Sequence, residues 1–291
     1  MEFRCNLKCV HCMIEDTMDR LEPQSDEKFE ELLRFNKENG RWQGIILTGS
    51  EITLHKDLPN LAARARQARF EHVRIQTHGM HLDNKHYLDR LIASGVDEYF
   101  VSVAARDAAT HDLITTVQGS FERTLAGLEQ IDQYPDAISI TNTVVTKQSY
   151  RGLPELVDNL AHLKNLKQME FWNYWPMAEE DTKGLIAPIA DVWPYLEEAI
   201  SRATALGRRV EVKNFPKCML GKWQHTLVND QPPLFIDSDF WKEFERNGFY
   251  RCCHKTACTA KDCLGLNEAY TAKYGEEDTL LKPIRNTSSG A

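Results

Sequence analysis

The chain has 291 residues, with 43 acidic against 35 basic side chains and a net charge of −8. At 42% hydrophobic and 27% charged it is not disordered by composition, and no apolar run approaches the ~18 residues of a membrane span. No signal peptide opens it, and the acidic balance argues against broad nucleic-acid backbone binding, so the expected location is the cytoplasm.

In chain order, the first segment before Cys5 reads as a truncated strand. Ser25 to Asn39 carries apolar residues at helical spacing and stops at Gly40. Gly44 to Gly49 is a short apolar run, predicted as a buried strand. A helix follows over Leu58 to Phe70, a strand over His72 to Thr77, and a helix over Lys85 to Ser94 ending at Gly95. Glu98 to Val103 reads as a strand, and Ser120 as the N-cap of a helix over Phe121 to Ile131. Ala137 to Thr146 and Leu166 to Trp172 are predicted strands, with helices over Leu153 to Leu163 and Val192 to Leu206. Strand and helix alternate with short connections, the pattern of a parallel sheet in an α/β protein. About six βα units are present, fewer than the eight of a closed barrel.

The eight cysteines fall in two groups, at 5, 9 and 12 and at 218, 252, 253, 258 and 263. Without an export signal they are expected to be reduced thiols, and clustered reduced thiols read as metal ligands. The first group reads Cys5-Asn-Leu-Lys-Cys9-Val-His-Cys12. Structural zinc takes four closed ligands, whereas three close thiolates leave a metal centre with an open position and suit an iron–sulfur cluster. His11 adjoins Cys12, which strains simultaneous ligation by both.

Cys-x3-Cys-x2-Cys with an aromatic-type residue before the last cysteine resembles the signature of the radical S-adenosylmethionine (SAM) superfamily. The resemblance implies a partial (β/α)6 TIM-like barrel. It also implies a [4Fe–4S] cluster on Cys5, Cys9 and Cys12, with SAM on the fourth iron, cleaved to a 5′-deoxyadenosyl radical that abstracts a substrate hydrogen. Thr48-Gly49-Ser50-Glu51 stands where the family has a Gly-Gly-Glu-type motif for the SAM amino group, with Ser50 in place of the second glycine. Gln76-Thr77-His78-Gly79 stands where members often show Thr-Asn-Gly; His78 reads equally well as a structural residue. By the same resemblance Thr77, Ser102 and Asn142 are expected SAM contacts. The aromatic run from Phe171 through Trp172, Tyr174 and Trp175 to Met177 reads as core or as a pocket wall.

The later cysteines resemble the auxiliary-cluster extension called twitch, a short form of SPASM, with Gly248 to Cys253 as its Gly-x4-Cys piece. Cys218, Cys258, Cys263 and one of Cys252 and Cys253 are then the ligands of a second [4Fe–4S] cluster; four thiolates also suit zinc. The spare cysteine of the adjacent pair is an inert thiol, an alternative ligand, or a hydrogen-atom donor as in radical epimerases. The expected division is a barrel over 1–209, a small Cys-rich extension over 210–285 and a flexible tail over 286–291. The short start implies either an abrupt barrel or missing upstream residues, and Cys5 leaves no room for a preceding peptide-binding domain. Expected partners are a ribosomally made peptide, with a small polar metabolite such as a sugar or aminocyclitol as the alternative, and an electron donor such as flavodoxin or ferredoxin. A non-enzymatic metal-binding protein is the third reading.

Overall fold

The computed structural model describes residues 2–14, 22–176, 178–230, 233, 235 and 251–285. The expected tail at 286–291, Met177 and Gly248 lie outside the described residues. Helix α1 (Asp26–Asn39) starts where the Ser25 side chain accepts the Lys28 N–H and stops where Gly40 turns left-handed at φ 59°. Strand β1 (Gly44–Leu47), α2 (Leu58–Gln67), β2 (His72–Thr77), α3 (Lys85–Ala93) and β3 (Glu98–Ser102) follow. Then come α4 (Ala108–Thr115), α5 (Ser120–Ile131), β4 (Ile138–Val145), α6 (Leu153–Asn159), β5 (Leu166–Asn173), α7 (Ile189–Ala205) and β6 (Arg209–Lys213). A last helix, α8, spans Glu268–Tyr274.

The six strands form one parallel sheet in the order β1-β2-β3-β4-β5-β6. Among the described residues β1 and β6 do not pair, so the barrel is open. Six strands were expected, but the set differs. The segment before Cys5 contributes a single parallel bridge from Glu2 to Gly49. The sixth strand is Arg209–Lys213, paired with β5 from Gln168 to Trp172. Its charged, alternating sequence hides it from a search for apolar runs.

Two other details depart from the sequence pattern. Helix α4 was not expected; it is short, and Asp107 caps it by accepting the Thr110 N–H. Ser120 is the first residue of α5 rather than its N-cap, and the cap comes from α4. The Asp112 carboxylate accepts the N–H groups of Gly119 and Phe121 and the Ser120 hydroxyl, at 2.6–2.9 Å.

The two faces of the sheet differ in chemistry. Val73, Ile75, Tyr99, Val101, Met169, Phe171, Val210 and Val212 point to the helices and are buried in one continuous core. The alternate positions form the inner face, where a band of polar residues, Gln76, Ser102, Asn142, Gln168, Glu170, Glu211 and Lys213, stands beside the apolar Phe100, Ile140 and Val144. Ser102 is exposed, and Gln76, Gln168 and Trp172 are half-buried, so this face is open to solvent. A parallel sheet normally covers both faces with apolar packing, and an open polar face is therefore a place for a ligand.

The C-terminal residues join the same core through Leu266, Ala269, Tyr270 and Leu281. The Tyr270 hydroxyl accepts the Ile189 N–H at 2.9 Å and donates to Glu277, while Lys273 reaches Asp181 at 2.6 Å. Among the described residues no helix is long and apolar enough to cross a membrane.

Two predictions follow from packing. A Cβ at Gly49 would overlap the backbone oxygen of Glu2. Gly49→Ala should cost about 1–3 kcal/mol in urea unfolding, because the clash is with backbone rather than with a yielding side chain. His111 is buried beside Ser120, and burial pushes its pKa down to about 4. The unfolded chain then binds the proton more readily. This contribution to stability is complete above about pH 6.5 and declines as the pH falls toward 4, on the order of 3 kcal/mol in all. His111→Gln should flatten that part of the pH–stability curve.

Candidate active site

The cysteine loop lies across the C-terminal ends of β1 and β2. It is fastened at both margins by backbone. Ser50 N–H donates to Glu2 O at 2.7 Å and Glu51 N–H to Arg4 O at 3.2 Å. On the other side Lys8 N–H donates to Thr115 O and Val10 N–H to Ile114 O, at 3.2 and 2.8 Å, both at the end of α4. A turn closed by Cys12 N–H to Cys9 O at 2.9 Å folds the loop back on itself. Cys5, Cys9 and Cys12 form no disulfide and are half-buried rather than packed as core. Burial pushes the Cys5 thiol up, and the Glu51 and Cys12 charges push it further. A thiolate there calls for a compensating cation. Among the described residues no three His, Cys, Asp or Glu side chains converge on a single ion.

Glu51 lies at the centre of the site with no exposed surface. One oxygen accepts from Thr53 N–H at 2.9 Å, Thr53 Oγ1 at 2.5 Å and Thr77 Oγ1 at 2.6 Å. The other accepts from His78 N–H at 2.8 Å and lies 3.1 Å from His78 Nε2. The carboxylate is thus fully used within the protein, and Thr77 is committed to it. Burial pushes the His78 imidazole below its usual pKa against the opposing effect of Glu51.

Among the described residues, the buried atoms without a partner include His11 Nδ1 in the cysteine loop, Ser50 Oγ and Asn142 Oδ1. Unmade hydrogen bonds of buried groups are costly, so such atoms mark where a polar ligand belongs. Asn142 stands directly opposite Ser102 on β3 and Glu170 on β5. Gly49, by contrast, is pressed against Glu2, and its lack of a side chain serves the loop crossing.

A charged group on β5 and β6 was not read from the sequence. Glu170 accepts from Gln168 Nε2 and Trp172 Nε1, each at 2.7 Å. Lys213 Nζ lies 3.8 Å from Glu170 and 3.7 Å from Glu211, with the Trp172 ring centroid at 5.2 Å. The alternation Glu211-Val-Lys213 was the available signal. The aromatic run is divided: Phe171 and Tyr174 belong to the core, and Trp172 faces the open side.

In the C-terminal region burial pushes the Cys218 thiol up, and the charges of Cys263 and Cys252 add to that. Lys217 N–H and Gly265 N–H donate to Cys263 Sγ at 3.3 and 3.4 Å. Cys252 packs against the core. Cys253 is exposed, with its thiol directed at Glu276 O at 3.8 Å. Cys258 is half-buried.

An open α/β barrel with a three-thiol loop over its strand ends is the build of an enzyme that houses an iron–sulfur centre. The model of the radical SAM superfamily matches residues 3–160. A probable GTP 3′,8-cyclase of Archaeoglobus fulgidus is 31% identical over 285 residues, covering 94% of this chain and 88% of that protein. Fe-coproporphyrin III synthase of Methanosarcina barkeri is 30% identical over 165 residues, or 56% of this chain and 40% of that protein. Of that synthase and of the Methanopyrus kandleri probable GTP 3′,8-cyclase the chain spans only 40% and 52%. Streptococcus suis SuiB bound to the precursor peptide SuiA has the same fold, with a TM-score of 0.58 at 22% identity over 84% of this chain and 53% of that one. The chain belongs to the radical SAM superfamily, a class of enzymes that use a [4Fe–4S] cluster together with SAM.

Because Asn142 Oδ1 has no partner in the protein, Asn142→Ala should leave thermal stability within about 1 kcal/mol while weakening SAM binding about tenfold in equilibrium dialysis. An equal loss of both would mean that the side chain serves only the fold.

Proposed function

We propose that Cys5, Cys9 and Cys12 hold the SAM-binding [4Fe–4S] cluster and that Ser50, Ser102 and Asn142 contact SAM. When bound and reduced, the cluster would supply the one electron that splits SAM into methionine and a 5′-deoxyadenosyl radical, which would take a hydrogen atom from the substrate. The residues of the chain do the rest. The loop contacts to Glu2, Thr115 and Ile114 hold the three thiols over the strand ends. Ser50 Oγ and Asn142 Oδ1 offer unspent hydrogen-bonding capacity at that place, which is the observation that carries this reading. Thr77 and Glu51 brace the site from below rather than presenting free groups to it.

Cys218, Cys252 and Cys263 are proposed, with Cys258, as ligands of a twitch-type auxiliary [4Fe–4S] cluster. The two N–H groups on Cys263 Sγ, one of them from Lys217 next to Cys218, support it. The exposure of Cys253, whose thiol is directed at Glu276 O, and the packing of Cys252 against the core support Cys252 as the ligand of the adjacent pair. Anaerobic reconstitution should give about eight irons per chain. Cys252→Ala should fall to about four and Cys253→Ala should keep all of them. Four irons with one zinc in the unaltered protein would make the second site structural.

The substrate proposed is a small polar molecule held on the open inner face, beside Glu170, Glu211 and Lys213. The near-full-length similarity to a probable GTP 3′,8-cyclase supports this class. A second reading, a ribosomally made peptide, draws on SuiB bound to its precursor peptide. Release of 5′-deoxyadenosine with dithionite and SAM separates the two. Stimulation by nucleotides or sugars but not by peptides supports the first, and stimulation by peptides alone supports the second.

A further inference from the structure

His78 links two parts of the site that no covalent connection holds together. The Met80 N–H donates to its Nδ1 at 3.2 Å, so Nδ1 is the acceptor and Nε2 carries the hydrogen. That Nε2–H faces two oxygens at once. Asn6 Oδ1 lies at 2.7 Å and Glu51 Oε2 at 3.1 Å. Asn6 is the residue after Cys5, and Glu51 is the residue after Ser50. One buried N–H therefore spans from the thiol loop to the strand end that carries the unpartnered Ser50 hydroxyl.

His78 is itself held from the opposite side. Thr124 Oγ1 of α5 donates to its carbonyl at 2.8 Å, and the following Gly79 turns left-handed at φ 82°. A Cβ on Gly127 of α5 would overlap the Gly79 carbonyl, so helix and turn are in close contact. The imidazole is 8% exposed. The chain of contacts runs from α5 through the buried His78 to the buried Glu51 and to Asn6, an exposed residue of the cysteine loop whose Oδ1 turns in to His78.

We propose that His78 is a positioning residue that sets the register of the cysteine loop against the SAM-contacting end of β1 through its shared Nε2–H. The neutral imidazole donates and does not need to titrate. Its contribution is geometric: cluster and SAM must meet within a fraction of an ångström, and a misplaced loop separates their sites without removing either. The proposal rests on the membership of the superfamily and goes beyond it, since it concerns a contact among this chain's own side chains.

The test compares His78→Ala, His78→Gln and Asn6→Ala after anaerobic reconstitution. The readouts are iron content, thermal melting, SAM affinity and the change that SAM induces in the electron paramagnetic resonance spectrum of the reduced cluster. His78→Ala should keep the first cluster's iron but weaken SAM binding about tenfold and blunt the SAM-induced spectral change. His78→Gln places an amide N–H near the position of Nε2 and should recover SAM affinity to within about threefold. Asn6→Ala should reproduce the His78→Ala defect, and the double variant should be no worse than either single one. SAM affinity in His78→Ala within about threefold of the unaltered protein overturns the proposal. So does a glutamine variant as defective as the alanine one, or losses that simply add in the double variant. If His78→Ala does not fold, the glutamine and Asn6 variants decide the matter by the same criteria. An unaltered protein whose reduced cluster ignores SAM would overturn the SAM-site reading itself, a result separate from any difference among the variants.

Discussion

The Glu51 carboxylate is the constraint on which the site depends. It is wholly buried and meets five donor atoms from Thr53, Thr77 and His78. A buried charge is tolerated only when its hydrogen-bonding capacity is satisfied, and here the satisfaction comes from the ends of two different strands. Glu51 therefore ties the exit of β1 to the exit of β2. Through His78 the same tie reaches Asn6 and the cysteine loop. The carboxylate that a motif comparison would direct at a ligand is engaged by donors of the protein itself.

The division of the sheet into two faces explains how a small barrel has room for chemistry. On the helix side, branched and aromatic residues from all six strands contribute to one core. That packing fixes the strands and leaves the opposite face free to carry charge. Glu170, Glu211 and Lys213 can remain buried there because each lies near an opposite charge or a donor. The C-terminal residues add to the rigidity of this arrangement. Tyr270 and Lys273 bind the segment around 181–189 that leads into α7, so the later cysteines sit on a part of the chain fastened to the barrel.

Much of the fold was legible because it is local. Helix α1 declared itself through Ser25, its apolar spacing and Gly40, and the apolar strands through short runs between glycines. The alternation of these elements was enough for an open parallel barrel. The element that escaped, β6, is a strand whose inner face is charged, so its pattern is that of a polar loop when read alone. Helix α4 escaped because eight residues are too few to establish a period. The replacement of the Ser120 cap by Asp112 depends on a helix the sequence did not announce.

The sequence by itself determined the chemistry available: three thiols at a spacing that one loop can present, five more near the end, and a family resemblance that the comparison with known proteins bears out. Thiol spacing is a local property, and it survives any uncertainty about the fold. What each group is free to do is settled by the packed fold. It showed that Glu51 and Thr77 are engaged with each other, that Ser50 and Asn142 hold unmade hydrogen bonds, and that Cys252 and Cys253 face different surroundings. The reason is physical. A side chain's chemistry is written in its residue type, but whether its hydrogen-bonding capacity is already spent depends on neighbours that are distant in sequence and meet only when the sheet is formed.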